Sequence, residues 1–239
     1  MQFYFIRHGQ SENNALWERT GSSEGRSEDP ELTDLGHRQA ARLAEYLTQN
    51  RSASENGDDP QNVAGFCLTH LYTSLMVRAV STATYVARAL GLPLMARTDA
   101  HEVGGIWNSN GEDEPPVGLP GRDRAYFRAH HAGLILPATF NADGWWNRPF
   151  EEREERQPRA QRFLADLVAQ HGDTDDRVAV VSHGGFYNYV LAAFLDAPRR
   201  EGLWFELNNA AITRIDLVDG AIQVRYLNRN DFLRPDLLS

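Results

Sequence analysis

Two histidines in this chain stand in the same position relative to an apolar run. Arg7-His8-Gly9 follows Phe3 to Ile6, and Ser182-His183-Gly184-Gly185 follows Val178 to Val181. Both runs are short, uninterrupted and rich in β-branched or aromatic residues, the composition of strands buried on both faces. In an open α/β sheet, ligands bind beyond the carboxyl ends of the strands. Adjacent parallel strands would therefore carry His8 and His183 to one crevice. The glycines that follow let a ligand approach the backbone closely, and a helix after His183 would offer unpaired N–H groups to an anion. Two imidazoles, the Arg7 guanidinium and a helix N-terminus together suit a phosphoryl group.

The elements that must hold these residues are readable from periodicity. The expected order is β (2–6), α (33–48), β (66–72), α (75–90), a short β (93–96) and a long irregular stretch. After it come α (158–170), β (177–182), α (185–195) and a final hairpin. Ala40, Leu43, Ala44 and Leu47 recur at helical spacing behind Thr33, which suits an N-cap. Asp219-Gly220, between Ile215/Leu217 and Ile222/Val224/Tyr226, marks a tight hairpin. The alternation predicts an α/β protein. Its architecture would be a three-layer α/β/α sandwich with a mostly parallel sheet, an antiparallel edge strand and an inserted cap region, all in one domain spanning 1–239.

Residues 19–31 and 50–62 read as polar loops, the first near enough to His8 to border the crevice, the second a surface excursion. Residues 104–150 contain Trp107, Tyr126, Phe127, Phe140, Trp145, Trp146 and Phe150, too aromatic for a linker. They are expected to fold into an insertion that caps the crevice and selects substrate. The other reading is that these aromatics fill a satellite core. Trp145 and Trp146, if they reach the pocket, hint at a ring or sugar face.

Composition narrows the partners. Hydrophobic residues make up 41% and charged residues 24% of 239, with a net charge of −9. That charge disfavours nucleic acid and anionic membranes. Acids at 112–114 and at 151, 152, 154 and 155 read as solvated surface. No stretch approaches the roughly 20 apolar residues of a membrane span, and the N-terminus lacks the features of a signal peptide; a cytoplasmic protein is expected. The one cysteine, Cys67, lies in an apolar run and reads as a buried structural thiol. His101, His130 and His131 show no metal-ligand spacing, so no metal is expected.

Five ordered blocks, about half of the chain, resemble the histidine phosphatase superfamily of acid phosphatases and cofactor-dependent phosphoglycerate mutases. These are Arg7 to Asn14; Leu32-Thr33-Asp34-Leu35-Gly36 with Gln39-Ala40; Ser74 to Ala79 with Thr82-Ala83; the acid Glu102; and Ser182-His183-Gly184. The resemblance implies that His8 is a nucleophile forming a phosphohistidine. It makes Arg7 and Arg78 the clamp on the phosphoryl oxygens and His183 a donor to one of them. Glu102 would be the general acid and base, with a raised pKa, and Asp99 and Glu112 the fallbacks. Asn14 and Ser11 would touch phosphate, substrate or the histidine, Ser11 having a local turn role as its alternative. Gly184 and Trp107 would line the substrate pocket. Such chemistry needs no metal and no cofactor.

The implied activity is hydrolysis of a small-molecule phosphomonoester. A phosphoglycerate mutase is the chemical alternative, but Glu102 is followed by Val103-Gly104-Gly105-Ile106-Trp107 instead of that branch's basic and aromatic run. Arg122, Arg124 and Arg128 are the cations a mutase would recruit. A noncatalytic phospho-ligand or protein-interaction module is a second alternative, disfavoured because all five catalytic residue types are present. Substrate identity is not legible, and neither is oligomeric state, a homo-oligomer included.

Overall fold

The computed structural model describes residues 1–49, 59–109 and 114–239. The fallback acid Glu112 and most of the 50–62 loop lie outside them. The elements run β1 (Gln2–Arg7), α1 (Glu12–Thr20), α2 (Asp34–Leu47), β2 (His70–Ser74), α3 (Val77–Leu90) and β3 (Leu94–Arg97). The 104–150 stretch adds β4 (Trp107–Asn108), β5 (Val117–Gly118), α4 (Arg124–His130) and β6 (Leu134–Ile135). The chain ends with α5 (Arg153–His171), β7 (Arg177–Ser182), α6 (Gly184–Phe194), β8 (Ile212–Val218) and β9 (Ala221–Arg229).

Seven strands form one sheet in the order β6-β3-β2-β7-β1-β8-β9. From β6 to β1 they run parallel; β8 is antiparallel to β1 and β9 to β8. Alternation along the central strands divides the core in two. Phe3, Phe5, Val178 and Val180 face Phe163 and Leu167 of α5 and Tyr187 and Phe194 of α6. Tyr4, Ile6, Ala179 and Val181 face Leu43 and Leu47 of α2 and Ala79 and Ala83 of α3. The result is the expected three-layer α/β sandwich, its antiparallel margin formed by the expected final hairpin of β8 and β9. Asp219 and Gly220 both adopt positive φ, 51° and 78°, as a two-residue hairpin turn requires.

Several boundaries differ from the sequence reading. The α1 helix was not anticipated, because none of its residues is buried and no apolar stripe announces it. The α5 helix begins at Arg153, with Pro158 inside it; a capping box between Glu152 and Glu155 starts the helix ahead of the proline. The β2 strand begins only at His70: Gly65 and Cys67 have positive φ, which interrupts extended pairing. The same left-handed turn exposes Cys67 between buried Phe66 and Leu68, correcting the expectation of a buried thiol.

The aromatics of 104–150 form a third core. Ile106, Phe127, Phe140, Trp145 and Trp146 pack on Leu75, Met76, Val80 and Ala96 of the frame. Trp145 and Trp146 are buried there, so the indoles are structural and present no face to a sugar. Glu151 is not solvated surface either. It is buried with Arg159, whose Nε and Nη2 donate to its carboxylate at 2.5 and 2.8 Å. No helix among the described residues is long and apolar enough to cross a membrane.

Candidate active site

Register brings the two histidines together. Arg7 pairs with Ser182 across β1 and β7, so the residues that follow leave the sheet side by side. The His8 N–H donates to the Ser182 carbonyl at 3.0 Å, and the two imidazole centroids lie 5.1 Å apart. The His8 carbonyl is fixed by the Ala210 N–H and by Asn209 Nδ2, at 3.2 and 3.0 Å. Behind it, Gly9 and Gly36 pack backbone to backbone: a Cβ on Gly9 would lie 2.5 Å from the Gly36 carbonyl oxygen. This close approach accounts for the glycine of the Leu-Thr-Asp-Leu-Gly block. Gln39 then accepts from the Gln10 N–H at 2.7 Å.

The tautomer of His8 follows from its partners. Nδ1 lies 2.6 Å from the Gly9 carbonyl oxygen, which can only accept, so Nδ1 carries the proton. That leaves a lone pair on Nε2, which accepts from Arg78 Nε at 3.2 Å. Burial, then the charges of Arg78 and Arg7, push the imidazole well below its ordinary pKa. His8 is therefore neutral near pH 7, with its lone pair on Nε2.

His183 is wholly buried, its Nε2 2.8 Å from Ser74 Oγ, and its Nδ1 has no partner. Burial foremost, then Arg78 and His8, also push its pKa well down. Arg7 donates through Nη1 to the Leu207 carbonyl at 2.5 Å, while its Nε is buried without a partner. Gly184 lies against that Nε: a Cβ there would be 3.6 Å away. Arg78, beside Met76 Sδ, has Asp29 Oδ1 3.9 Å from Nη1. Asp29 is buried; its Oδ1 accepts from the Val77 N–H at 2.9 Å and its Oδ2 has no partner. Burial raises its pKa to about 7 against the lowering effect of Arg78.

Glu102 stands at the start of α6, accepting from the N–H groups of Phe186 (2.8 Å), Gly185 (3.1 Å) and Val103 (2.8 Å). The loop carrying it is gripped from behind by Arg159, whose Nη1 donates to the Asp99 and His101 carbonyls at 2.8 and 3.0 Å. Asp99, the fallback acid, is engaged instead by Arg97 at 2.7 and 3.0 Å. Ser11 and Asn14 form the capping box of α1, and Asn14 Oδ1 also accepts from Asn209 Nδ2 at 3.3 Å. Trp107 is half-buried, edge-on to Phe150, with the Arg26 guanidinium 3.8 Å over its ring. Beside Glu102, a cavity of about 380 Å³ opens at Val103 and Gly185, lined by Arg153, Arg156, Arg199, Tyr189, Trp204 and Glu201, which lies 3.4 Å from Arg153.

His8, Arg7, Arg78 and His183 thus converge, with Glu102 on the adjoining helix N-terminus. The sequence reading missed Asp29, Ser74, Asn209 and Arg26. Ser74 lies in a quoted block, and its place at the end of β2 was the available signal. Asp29 had none, since an acid in a Gly/Ser/Asp-rich loop reads as solvated.

Comparison with known proteins bears on the fold and the family. No curated protein sequence matches the chain. Among solved structures, a phosphoserine phosphatase from Entamoeba histolytica, in complex with 3-phosphoglyceric acid, superposes with a TM-score of 0.61 at 21% identity, covering 98% of this chain and 99% of that one. A mycobacterial glucosyl-3-phosphoglycerate phosphatase gives 0.59 at 22% identity, covering 96% and 99%. A putative alpha-ribazole-5'-P phosphatase from Escherichia coli gives 0.61 at 21%, covering 96% and 97%. At these identities the likeness is one of fold. The family model of the histidine phosphatase superfamily (branch 1) matches residues 3–56 and 60–230. On that match, across nearly its whole length, the chain belongs to the histidine phosphatase superfamily, branch 1.

Proposed function

We propose that this protein is a phosphomonoester hydrolase working through a phosphohistidine on His8. The observation that carries the reading is a pair of buried, unpartnered nitrogens, Arg7 Nε and His183 Nδ1, beside a neutral imidazole with its lone pair on Nε2. Buried polar atoms are almost always bonded, and two unpartnered donors beside one imidazole lone pair suit a ligand that accepts from both. A phosphoryl group here satisfies both and exchanges the Arg78–His8 bond for a charge-assisted bond to its own oxygen.

In the first step His8 Nε2 forms a bond to phosphorus as the ester P–O bond breaks, and Glu102 gives the leaving oxygen a proton. In the second, Glu102 takes a proton from water, whose oxygen attacks phosphorus and displaces His8. The products are an alcohol and inorganic phosphate. Arg7, Arg78 and His183 hold the spread negative charge throughout, so positioning and electrostatics supply most of the rate. In its protonated form Glu102 gives up at least part of its N–H contacts with α6 to reach the leaving oxygen. No metal is required.

We also assign the 104–150 segment to substrate selection, with Trp107 as its contact. The cavity beside Glu102 would hold the alcohol portion. Arg156 and Arg199 each keep a buried Nε without a partner there, which favours an alcohol bearing a second anion such as a carboxylate. The proteins of like fold that act on phosphoserine and glucosyl-3-phosphoglycerate are consistent with this reading.

The test is phosphate release from an aryl phosphate and a panel of phosphomonoesters in EDTA, with His8→Ala as control. Release that vanishes in the variant, with an acid-labile phosphoprotein trapped from the intact protein, supports the assignment. Activity surviving His8→Ala removes the nucleophile. Absence of release, together with phosphoglycerate interconversion given a bisphosphate primer, makes the protein a mutase.

A further inference from the structure

At the opposite ends of the strands from His8, three elements bring His70, His171 and Asp176 together. His70 opens β2, His171 closes α5, and Asp176 immediately precedes β7. Asp176 Oδ2 lies 2.8 Å from His171 Nδ1, and Oδ1 lies 3.7 Å from His70 Nδ1. The imidazole centroids are 4.6 Å apart. One donor atom from each residue lies within 4.8 Å of the others. We propose that this triad is a binding site for a divalent transition metal of the zinc type, remote from the catalytic centre.

The donor set is the first reason. Two imidazoles and one carboxylate make a three-ligand site for a tetrahedral ion, with one position left for water. The support around it is the second. His171 is buried, and its other nitrogen, Nε2, lies 3.0 Å from the Tyr72 hydroxyl. A hydrogen bond to the far nitrogen is the usual device for fixing the orientation of a metal-bound imidazole. His70 and Asp176 remain partly exposed, with side chains 33% and 26% accessible, so an ion can enter.

The third reason is economy of movement. A tetrahedral zinc with bonds of about 2.1 Å needs donors roughly 3.4 Å apart. Asp176 Oδ2 at 2.8 Å from His171 and Oδ1 at 3.7 Å from His70 lie on either side of that value, and no donor pair need close by more than about 1.4 Å. The ion takes the place of the proton between His171 Nδ1 and Asp176, and displaces the 2.9 Å contact of His70 Nδ1 with Thr69 Oγ1. A bound ion would staple the end of α5 to two strand starts. The histidines singled out from sequence, His101, His130 and His131, play no part in it.

The test uses the full chain without an affinity tag of histidines, stripped with a chelator and kept out of phosphate buffer. Zinc chloride is titrated calorimetrically, and melting is followed with and without the ion. The expected result is one saturable site, with the melting temperature raised by about 5–10 °C at a hundredfold excess over Kd. His70→Ala, which keeps the His171–Asp176 bond, should weaken binding at least tenfold while leaving phosphatase activity in EDTA unchanged. Cobalt should show tetrahedral visible bands that this variant loses. No saturable site in the intact protein, or equal binding by His70→Ala, overturns the proposal.

Discussion

Replacing Asp29 by asparagine should make the protein more stable at alkaline pH. Asp29 is buried behind Arg78, with one carboxylate oxygen unpartnered and the Arg78 guanidinium 3.9 Å from the other. At an effective dielectric of about 20, attraction to Arg78 is worth about 4 kcal/mol, yet the carboxyl pKa is still raised to about 7. Burial therefore outweighs the ion pair. A carboxyl that prefers its proton in the fold contributes stability at low pH that is lost as pH rises through its folded pKa. Asparagine resembles the protonated form at every pH. Between about pH 5.5 and pH 8.5 the wild type should lose about 2 kcal/mol relative to Asp29→Asn. Contributions of the substitution that do not depend on pH cancel in that comparison. Urea unfolding of both proteins across the range gives the difference directly. A flat difference, or one that moves in favour of the wild type as pH rises, would show that Asp29 stays ionised as the counter-ion of Arg78.

Other outcomes follow from the same geometry. Acidification should destabilise the protein: His8, His183 and His101 all have depressed pKa values, dominated by burial, so stability present above about pH 6.5 is lost as pH falls below it. Asp29 acts in the opposite direction over this range, so chemical denaturation of Asp29→Asn from about pH 7.5 to 5 tests this, and an unchanged midpoint in that variant would contradict it. Ser74→Ala leaves His183 Nε2 without its hydroxyl and should lower kcat about tenfold, with KM nearly constant; single-turnover kinetics decide it. Gly36→Ala drives a Cβ into the Gln10 carbonyl, and an expected cost of about 2 kcal/mol should appear as a fall of about 5 °C in Tm. Arg156→Ala should reduce kcat/KM about tenfold for carboxylate-bearing phosphomonoesters while sparing an aryl phosphate; equal losses on both would take Arg156 out of substrate selection.

The strand ends that carry His8 and His183 were legible because their signal is local: an apolar run followed by Arg-His-Gly or Ser-His-Gly-Gly fixes both the buried strand and the residue leaving it. The α2 and α3 helices were legible because their apolar faces repeat at helical spacing. What escaped was set by tertiary burial of polar residues. Glu151 stands in an acidic run that otherwise faces solvent, and Arg159, two turns into α5, together with the Gly104 N–H takes it inside. Asp29 is buried by the polar loop folding against α3. The α1 helix buries no residue, and its signatures lie at its ends: the Ser11/Asn14 capping box and the left-handed Gly21 that closes it. Trp145 and Trp146 were correctly read as ordered, but composition could not say whether they face a ligand or each other; their rings meet edge to face at 5.7 Å.

Arg159 holds the carbonyls of Asp99 and His101 while its guanidinium is locked to Glu151, which in turn accepts from the Gly104 N–H. One residue of α5 thus sets the position of the loop on both sides of Glu102 without itself lining the cavity beside it. The placement of the proposed acid can consequently drift by substitutions a whole layer away. In a laboratory selection for new leaving groups, improved variants should arise on the buried face of α5 as well as among pocket residues. Variants of the two kinds should combine non-additively wherever both move the same carboxylate.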